Sequence, residues 1–79
     1  MNKKYTLKQL VSQKYITLWD IGGICGVRSK QGVYNILDGI NKIYTNELRQ
    51  LVDRARANGL DISVDDVNTD ELYLIQFGK

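Results

Sequence analysis

The chain has 79 residues, of which 43% are apolar and 25% are charged. This length supports one hydrophobic core, which excludes a two-domain enzyme, and no apolar run approaches the ~20 residues of a membrane helix. Eleven basic and nine acidic residues give a net charge of +2, which is too small by itself to indicate a polyanionic partner.

The charge is distributed unevenly along the chain. Residues 1–60 carry ten basic and four acidic side chains, a net of +6, whereas residues 61–79 carry one basic and five acidic side chains, a net of −4. A basic body followed by an acidic segment predicts that any electrostatic attraction to a polyanion is confined to the body.

Several function classes are disfavoured by residue types that are rare or missing. The sequence has no histidine and one cysteine, Cys25, so a histidine-based catalytic triad is impossible and a zinc site would need mostly carboxylates. We therefore expect no enzymatic activity, no cofactor, no metal and no small-molecule ligand. Cys25 is expected to be a buried, inert thiol, and the lack of a secretory signal pattern predicts a cytoplasmic protein that does not enter a membrane.

Capping residues predict two short helices near the start of the chain. Thr6 and Gln9 form a capping-box pattern, followed by apolar residues at helical spacing, which predicts a helix over about 7–14. Thr17 with Asp20 predicts a second helix over about 18–25, which Gly26 ends. Trp19, at the start of this helix, is expected to be exposed or half-buried and is interpreted as a packing residue rather than a stacking platform.

Two further helices are predicted downstream. Ser29 caps a helix over about 30–38 that Gly39 ends, and its apolar stripe consists of Val33, Ile36, Leu37 and Ile40. A loop then leads to Thr45, which is predicted to cap the fourth helix, over about 46–58.

The C-terminal segment is harder to assign. Ser63 could open a short fifth helix, while residues 72–77 form a continuous apolar run that is either a short helix or a strand, with aromatic and β-branched content that slightly favours a strand. This run packs either on its own core or on a second subunit. We expect a homodimer, and the predicted dimerisation residues are Leu72, Leu74, Ile75 and Phe77.

Residues 18–37 have the length expected of a helix-turn-helix, in which two short helices are joined by a tight turn. Gly22 or Gly23 would allow two helices to cross closely, and Gly26 tolerates the positive φ angle of a tight turn. The sequence therefore predicts an all-α fold of four to five helices. Residues 1–62 would form the helix-turn-helix domain, and residues 63–79 would form an acidic and then apolar segment for packing or dimerisation.

Three stretches carry a resemblance to a known family: DIGGICGVRS at 20–29, VYNILDG at 33–39, and the Thr45-initiated helix that ends in ANGL at 57–60. Over about residues 6–62 the chain resembles the lambda-repressor and Cro type of helix-turn-helix protein. It departs from the family pattern at Gly32, early in the recognition helix, and in a turn that is one residue longer. The resemblance implies a phage-type transcriptional regulator, in the bacterial cytosol or a phage-infected cell.

A helical wheel places polar side chains of the third helix opposite its apolar stripe. The predicted base contacts in a major groove are Lys30, Gln31, Tyr34 and Asn35. Glutamine and asparagine can pair with adenine, lysine and arginine with guanine or phosphate, and tyrosine with phosphate or a thymine methyl. Asp38 shares this face but does not suit a phosphate-rich surface, so it is expected to tilt away.

Contacts to the DNA backbone are predicted on both sides of this helix. Arg28 can reach guanine or phosphate, and the resemblance implies further phosphate contacts from Thr17, Ser29, Asn41, Lys42 and Tyr44. The predicted function is a sequence-specific regulator that binds a double-stranded DNA operator, most simply as a repressor. The alternative is a helix-turn-helix protein-binding module such as an antirepressor, which the modest net charge and Asp38 favour.

Overall fold

The computed structural model describes residues 5–76 and contains four helices and two short strands. The helices are α1, Leu7–Ser12; α2, Leu18–Cys25; α3, Lys30–Leu37; and α4, Thr45–Ala57. The strands are β1, Lys42–Tyr44, and β2, Tyr73–Ile75, and a single 3₁₀ turn spans Val64–Asp66. None of the helices within residues 5–76 is long and apolar enough to cross a membrane.

The prediction of an all-α fold is wrong. β1 and β2 form a parallel two-stranded sheet in which Ile43 lies opposite Leu74. β1 occupies the segment that the sequence analysis assigned to a loop, because three residues are too few to display a strand period. Its partner β2 lies in the apolar run near the C-terminus, so this pairing depends on a contact between distant parts of the chain.

The predicted caps of the first three helices are confirmed. The Thr6 and Thr17 hydroxyls accept the backbone N–H groups of Gln9 and Asp20, each at 3.1 Å, and the Ser29 hydroxyl accepts that of Gly32 at 3.0 Å. These bonds satisfy donors that have no partner within the helix. Local capping chemistry therefore determines where α1, α2 and α3 begin.

Helix ends and the fourth cap differ from the prediction. Lys14 adopts a positive φ of 68°, and α1 ends at Ser12 rather than near residue 14. The cap of α4 is Tyr44, not Thr45. The Thr45 hydroxyl instead lies 3.0 Å from the carbonyl oxygens of Ile75 and Gln76, so it binds the C-terminal segment.

The core combines the helices with residues from β1 and the C-terminal segment. Its buried side chains are Leu7, Leu10, Ile16, Ile21, Val33, Ile36, Leu37, Ile43, Leu48, Leu51, Val52, Ala55, Ile62 and Val67. Ile40 was predicted to continue the stripe of α3 but is 64% exposed. Gly39, with a φ of 79°, ends the helical path before Ile40 and turns that side chain outward.

Candidate nucleic-acid interface

α2 and α3 are joined by a turn in which two glycines have different roles. Gly26 ends α2 in the left-handed conformation, with a φ of 73°. A Cβ on Gly22 would lie 2.7 Å from the carbonyl oxygen of Val27, and the Val27 N–H donates to the Gly22 carbonyl at 2.8 Å. Of the two glycines that the sequence offered for the close approach, Gly22 makes it, whereas Gly23 faces open space.

Gly32 has a steric reason to be a glycine. A Cβ at this position would lie 2.3 Å from Cγ1 of Val27 and 3.2 Å from the hydroxyl of Ser29. The first turn of α3 therefore packs directly on the residues that connect it to α2. A side chain at position 32 would therefore clash with Val27.

The outward face of α3 is polar, while Val33, Ile36 and Leu37 on the opposite face are buried. Its predicted base-reading residues are Lys30, Gln31 and Tyr34, which are exposed, and Asn35, which is half-buried. The Gln31 Nε2 donates to Asn35 Oδ1 at 3.0 Å. This bond leaves the Gln31 carbonyl oxygen as an acceptor beside the Asn35 amide nitrogen as a donor.

Asp38, which did not suit a phosphate-rich surface, is paired with a cation from α1. Lys8 Nζ lies 3.0 Å from an Asp38 carboxylate oxygen and 3.9 Å from a Glu71 carboxylate oxygen. The hydrogen bond to Asp38 and the charge of Asp38 raise the pKa of Lys8 above its usual value. Lys8 thus offsets two negative charges near the C-terminal end of α3.

The predicted backbone-contact residues lie on the surface around α3. Thr17, Arg28, Ser29, Asn41 and Lys42 are exposed, whereas Tyr44 is half-buried. The hydroxyls of Thr17 and Ser29 accept helix N–H groups through their lone pairs, which leaves each hydroxyl hydrogen for a phosphate oxygen. Lys42 lies on β1 directly opposite Tyr73, so the sheet brings a residue of the C-terminal segment beside a predicted phosphate contact.

The residues predicted to mediate dimerisation lie in or next to β2. Leu72 and Leu74 are partly buried and pack on the core of their own chain, and Ile75 is half-buried. Phe77 lies outside the described residues. The apolar run thus contacts its own core, and its contribution to a dimer stays a prediction.

An apolar cleft that the sequence did not predict lies beside α3. Trp19 is 83% exposed, which agrees with the expectation of an exposed or half-buried position, and it is not among the side chains that form the core or pack against it. It lines a cleft of about 580 Å³ between α2 and the start of α3, together with Leu18, Gly23, Val27, Arg28 and Lys30. The sequence signal for the cleft is limited to two adjacent glycines, Gly22 and Gly23, close to Trp19 in α2.

The thiol of Cys25 lies on α2 and is partly buried against the core. Burial, followed by the negative charge of Glu47, raises the pKa of Cys25 to about 12. At neutral pH the thiol is therefore protonated, which is its weakly nucleophilic form. Within residues 5–76, no group of three or more Cys, Asp or Glu side chains is arranged to hold a metal ion.

No protein family model, curated protein or solved structure matches the chain. The interpretation of this surface therefore depends on its own geometry and chemistry.

Proposed function

We propose that the protein is a sequence-specific double-stranded DNA-binding regulator of transcription that inserts α3 into the major groove. The observation that carries this proposal is the Gln31–Asn35 amide pair on the outward face of α3, whose other face is buried, together with exposed Lys30 on the helix and exposed Arg28 in the turn before it. Amides read base edges, and cations bind guanine or phosphate.

The amide pair has a donor and acceptor arrangement that suits adenine. Adenine presents an N6 donor and an N7 acceptor in the major groove. The Gln31 carbonyl oxygen can accept from N6, and the Asn35 amide nitrogen can donate to N7. Because the two side chains already bind each other at 3.0 Å, less side-chain entropy is lost when they meet a base.

Phosphate contacts would supply most of the affinity. Arg28, Lys30 and Lys42 are exposed cations around α3, and the pairing of Lys8 with Asp38 reduces repulsion at the end of the helix. Neutralised phosphates release counterions, so binding should weaken steeply as salt concentration rises. The protein would act in the cytoplasm, where it would reach the genome it regulates.

The short recognition helix favours binding as a homodimer. α3 has eight residues and is therefore about 12 Å long, which is enough for one half-site. A two-fold dimer would read two half-sites about 34 Å apart. Occupancy of such an operator would repress transcription by excluding polymerase.

The proposal is tested by selecting bound duplexes from a randomised pool and measuring their affinity at several salt concentrations. We expect an adenine-containing consensus and an affinity that falls with salt. The double variant Gln31→Ala, Asn35→Ala should lose about 3 kcal/mol, or a hundredfold, in affinity for the selected duplex.

The matched control is Gln50→Ala, which removes an exposed amide from α4. This variant should bind the selected duplex like the wild type, and all variants should unfold at the same temperature within a degree or two. Salt-insensitive binding, or equal affinity of the double variant and the control, would contradict the proposal.

A further inference from the structure

The cleft between α2 and α3 has the exposed apolar surface of a binding site. Trp19 at its wall is 83% exposed, and Leu18 and Val27 contribute further apolar surface. Exposed tryptophan beside a concave apolar surface is the usual composition of a protein-binding hot spot. An occupant with an apolar side chain would bury this surface.

The cleft owes its openness to glycine. A Cβ built on Gly23 would meet no atom within 4 Å, so the space above this turn of α2 is empty. Gly26 also lines the cleft without a side chain. The helix crossing requires Gly22 but does not require Gly23, so packing between the helices leaves Gly23 unexplained.

The charge of the cleft selects the chemistry of its occupant. Arg28 and Lys30 are the charged side chains that line it. Neither forms an ion pair within the described part of the chain. Cations beside an apolar surface complement a ligand that has carboxylates next to an apolar side chain.

We propose that this cleft docks a segment of a partner protein in which apolar side chains are flanked by carboxylates. A DNA duplex could reach the cations with its phosphates but has no apolar side chain to fill the cleft. The acidic segment of a second copy is less suitable, because Ile62 and Val67 are buried in their own core and Leu72 and Leu74 pack against it, which leaves Tyr73 as its large exposed apolar side chain within the described residues. The observations therefore favour a different protein.

Docking at this cleft has a regulatory consequence that rests on the proposed function. Arg28 and Lys30 belong to both the cleft and the DNA-binding surface, so the partner segment and the operator compete for them. Binding of the segment would release the regulator from DNA. The same domain would thus respond to a second protein without a separate sensing domain.

The single tryptophan of the chain, Trp19, reports directly on the cleft. We would titrate the full chain with a short peptide that carries leucine and phenylalanine at helical i, i+4 spacing among glutamates. The tryptophan emission should change saturably. Peptides with lysine in place of glutamate, or alanine in place of the apolar pair, should bind about tenfold more weakly or worse.

Two substitutions at Gly23 provide the matched variants. Gly23→Leu should fill the cleft and weaken peptide binding at least about tenfold, whereas Gly23→Ala should change it little. Both should unfold at or above the wild-type temperature, because the position is open and the new residues favour a helix. Trp19 remains as the reporter in both.

Several outcomes would overturn the inference. These are no saturable change at millimolar peptide, equal binding of the lysine peptide, and full peptide binding by Gly23→Leu. A concentration-dependent tryptophan change without peptide, lost in Gly23→Leu, would assign the cleft to a second copy instead.

Competition is measured with the selected duplex. Displacement of the duplex by the peptide supports the regulatory role, and simultaneous binding of the two contradicts it. Peptide binding without any salt-sensitive duplex binding would leave the docking site standing and refute the proposed function. Salt-sensitive duplex binding without peptide binding would leave the proposed function standing and refute the docking site.

Discussion

The helix-turn-helix unit, residues 18–37, and the C-terminal segment, residues 61–76, are stabilised by contacts that differ in the sequence separation of their partners. At the start of the unit, the hydrogen bond from the Asp20 N–H to the hydroxyl of the capping residue Thr17 spans three residues, and within the unit the bond from the Val27 N–H to the Gly22 carbonyl spans five. In the C-terminal segment, β2 pairs with a strand about thirty residues earlier, and Tyr5 bridges to Val67 across most of the chain. The caps and the turn of the unit are therefore specified by residues close in sequence, whereas the position of the segment depends on residues distant in sequence.

This difference separates what each region contributes to the proposed function. The polar face of α3 projects from a unit whose caps and turn are local, although α2 also packs on α4 and the Asp20 carboxylate pairs with Arg54 at 3.5 Å. The C-terminal segment, by contrast, contacts Thr45, Gly39 and Lys8, which lie in three different parts of the chain. Substitutions in the two regions should therefore have different effects on the stability of the protein.

The largest expected effect is at the contact between Gly39 and the C-terminal segment. A Cβ on Gly39 would lie 2.3 Å from the Glu71 carbonyl oxygen, in addition to the strain of a φ of 79°. Gly39→Ala should lower the free energy of unfolding by about 3 kcal/mol, as measured by urea denaturation.

Gly26→Ala in the helix-turn-helix unit is the matched control. Gly26 has a φ of 73°, but a Cβ there would meet nothing within 4 Å. This substitution should therefore cost only the strain, about 1 kcal/mol. Equal losses for the two variants would show that the contact between Gly39 and the C-terminal segment contributes nothing to stability.

A smaller effect is expected at the hydroxyl that binds the end of β2. Thr45→Val removes the donor that lies 3.0 Å from the carbonyl oxygens of Ile75 and Gln76. The free energy of unfolding should fall by about 1 kcal/mol, and amide hydrogen exchange over residues 73–76 should accelerate. Thr45→Ser should restore both values. Faster exchange across α2 and α3 alone would contradict this assignment.

The smallest effect is expected at Lys8, because its ion pairs with Asp38 and Glu71 are largely exposed. The pKa of Lys8 is raised above 10.5 in the folded protein, so folding favours its charged form. This stabilisation is present below pH 10.5 and is lost as the pH rises through the folded value.

The measurement is the difference in unfolding temperature between the wild type and Lys8→Met. This difference should be small and positive at pH 8, should decrease with added salt, and should vanish in strong alkali. The same substitution at exposed Lys14, for which no ion pair was found within residues 5–76, serves as the control. A difference that persists above the folded pKa would exclude an electrostatic origin.

The features of the candidate site that depend on residues close in sequence were predictable, and those that depend on distant residues were not. The caps at Thr6, Thr17 and Ser29 were predictable because each hydroxyl binds a residue three positions ahead. The exposed face of α3 followed from helical periodicity. The exposure of Trp19 was expected, but the cleft that it lines was not, because the cleft depends on how α2 lies against α3.

By itself, the sequence determined the three capped helix starts, the glycine-ended turn at Gly26 and the polar face of α3, because capping, chirality and helical period act over a few residues. Tertiary structure alone decided that β1 exists, that Thr45 binds the C-terminal segment and that Ile40 turns outward. These features depend on backbone and side-chain partners some thirty residues away or on where a helix is forced to end. Such contacts form only when the chain is folded, so no local pattern records them.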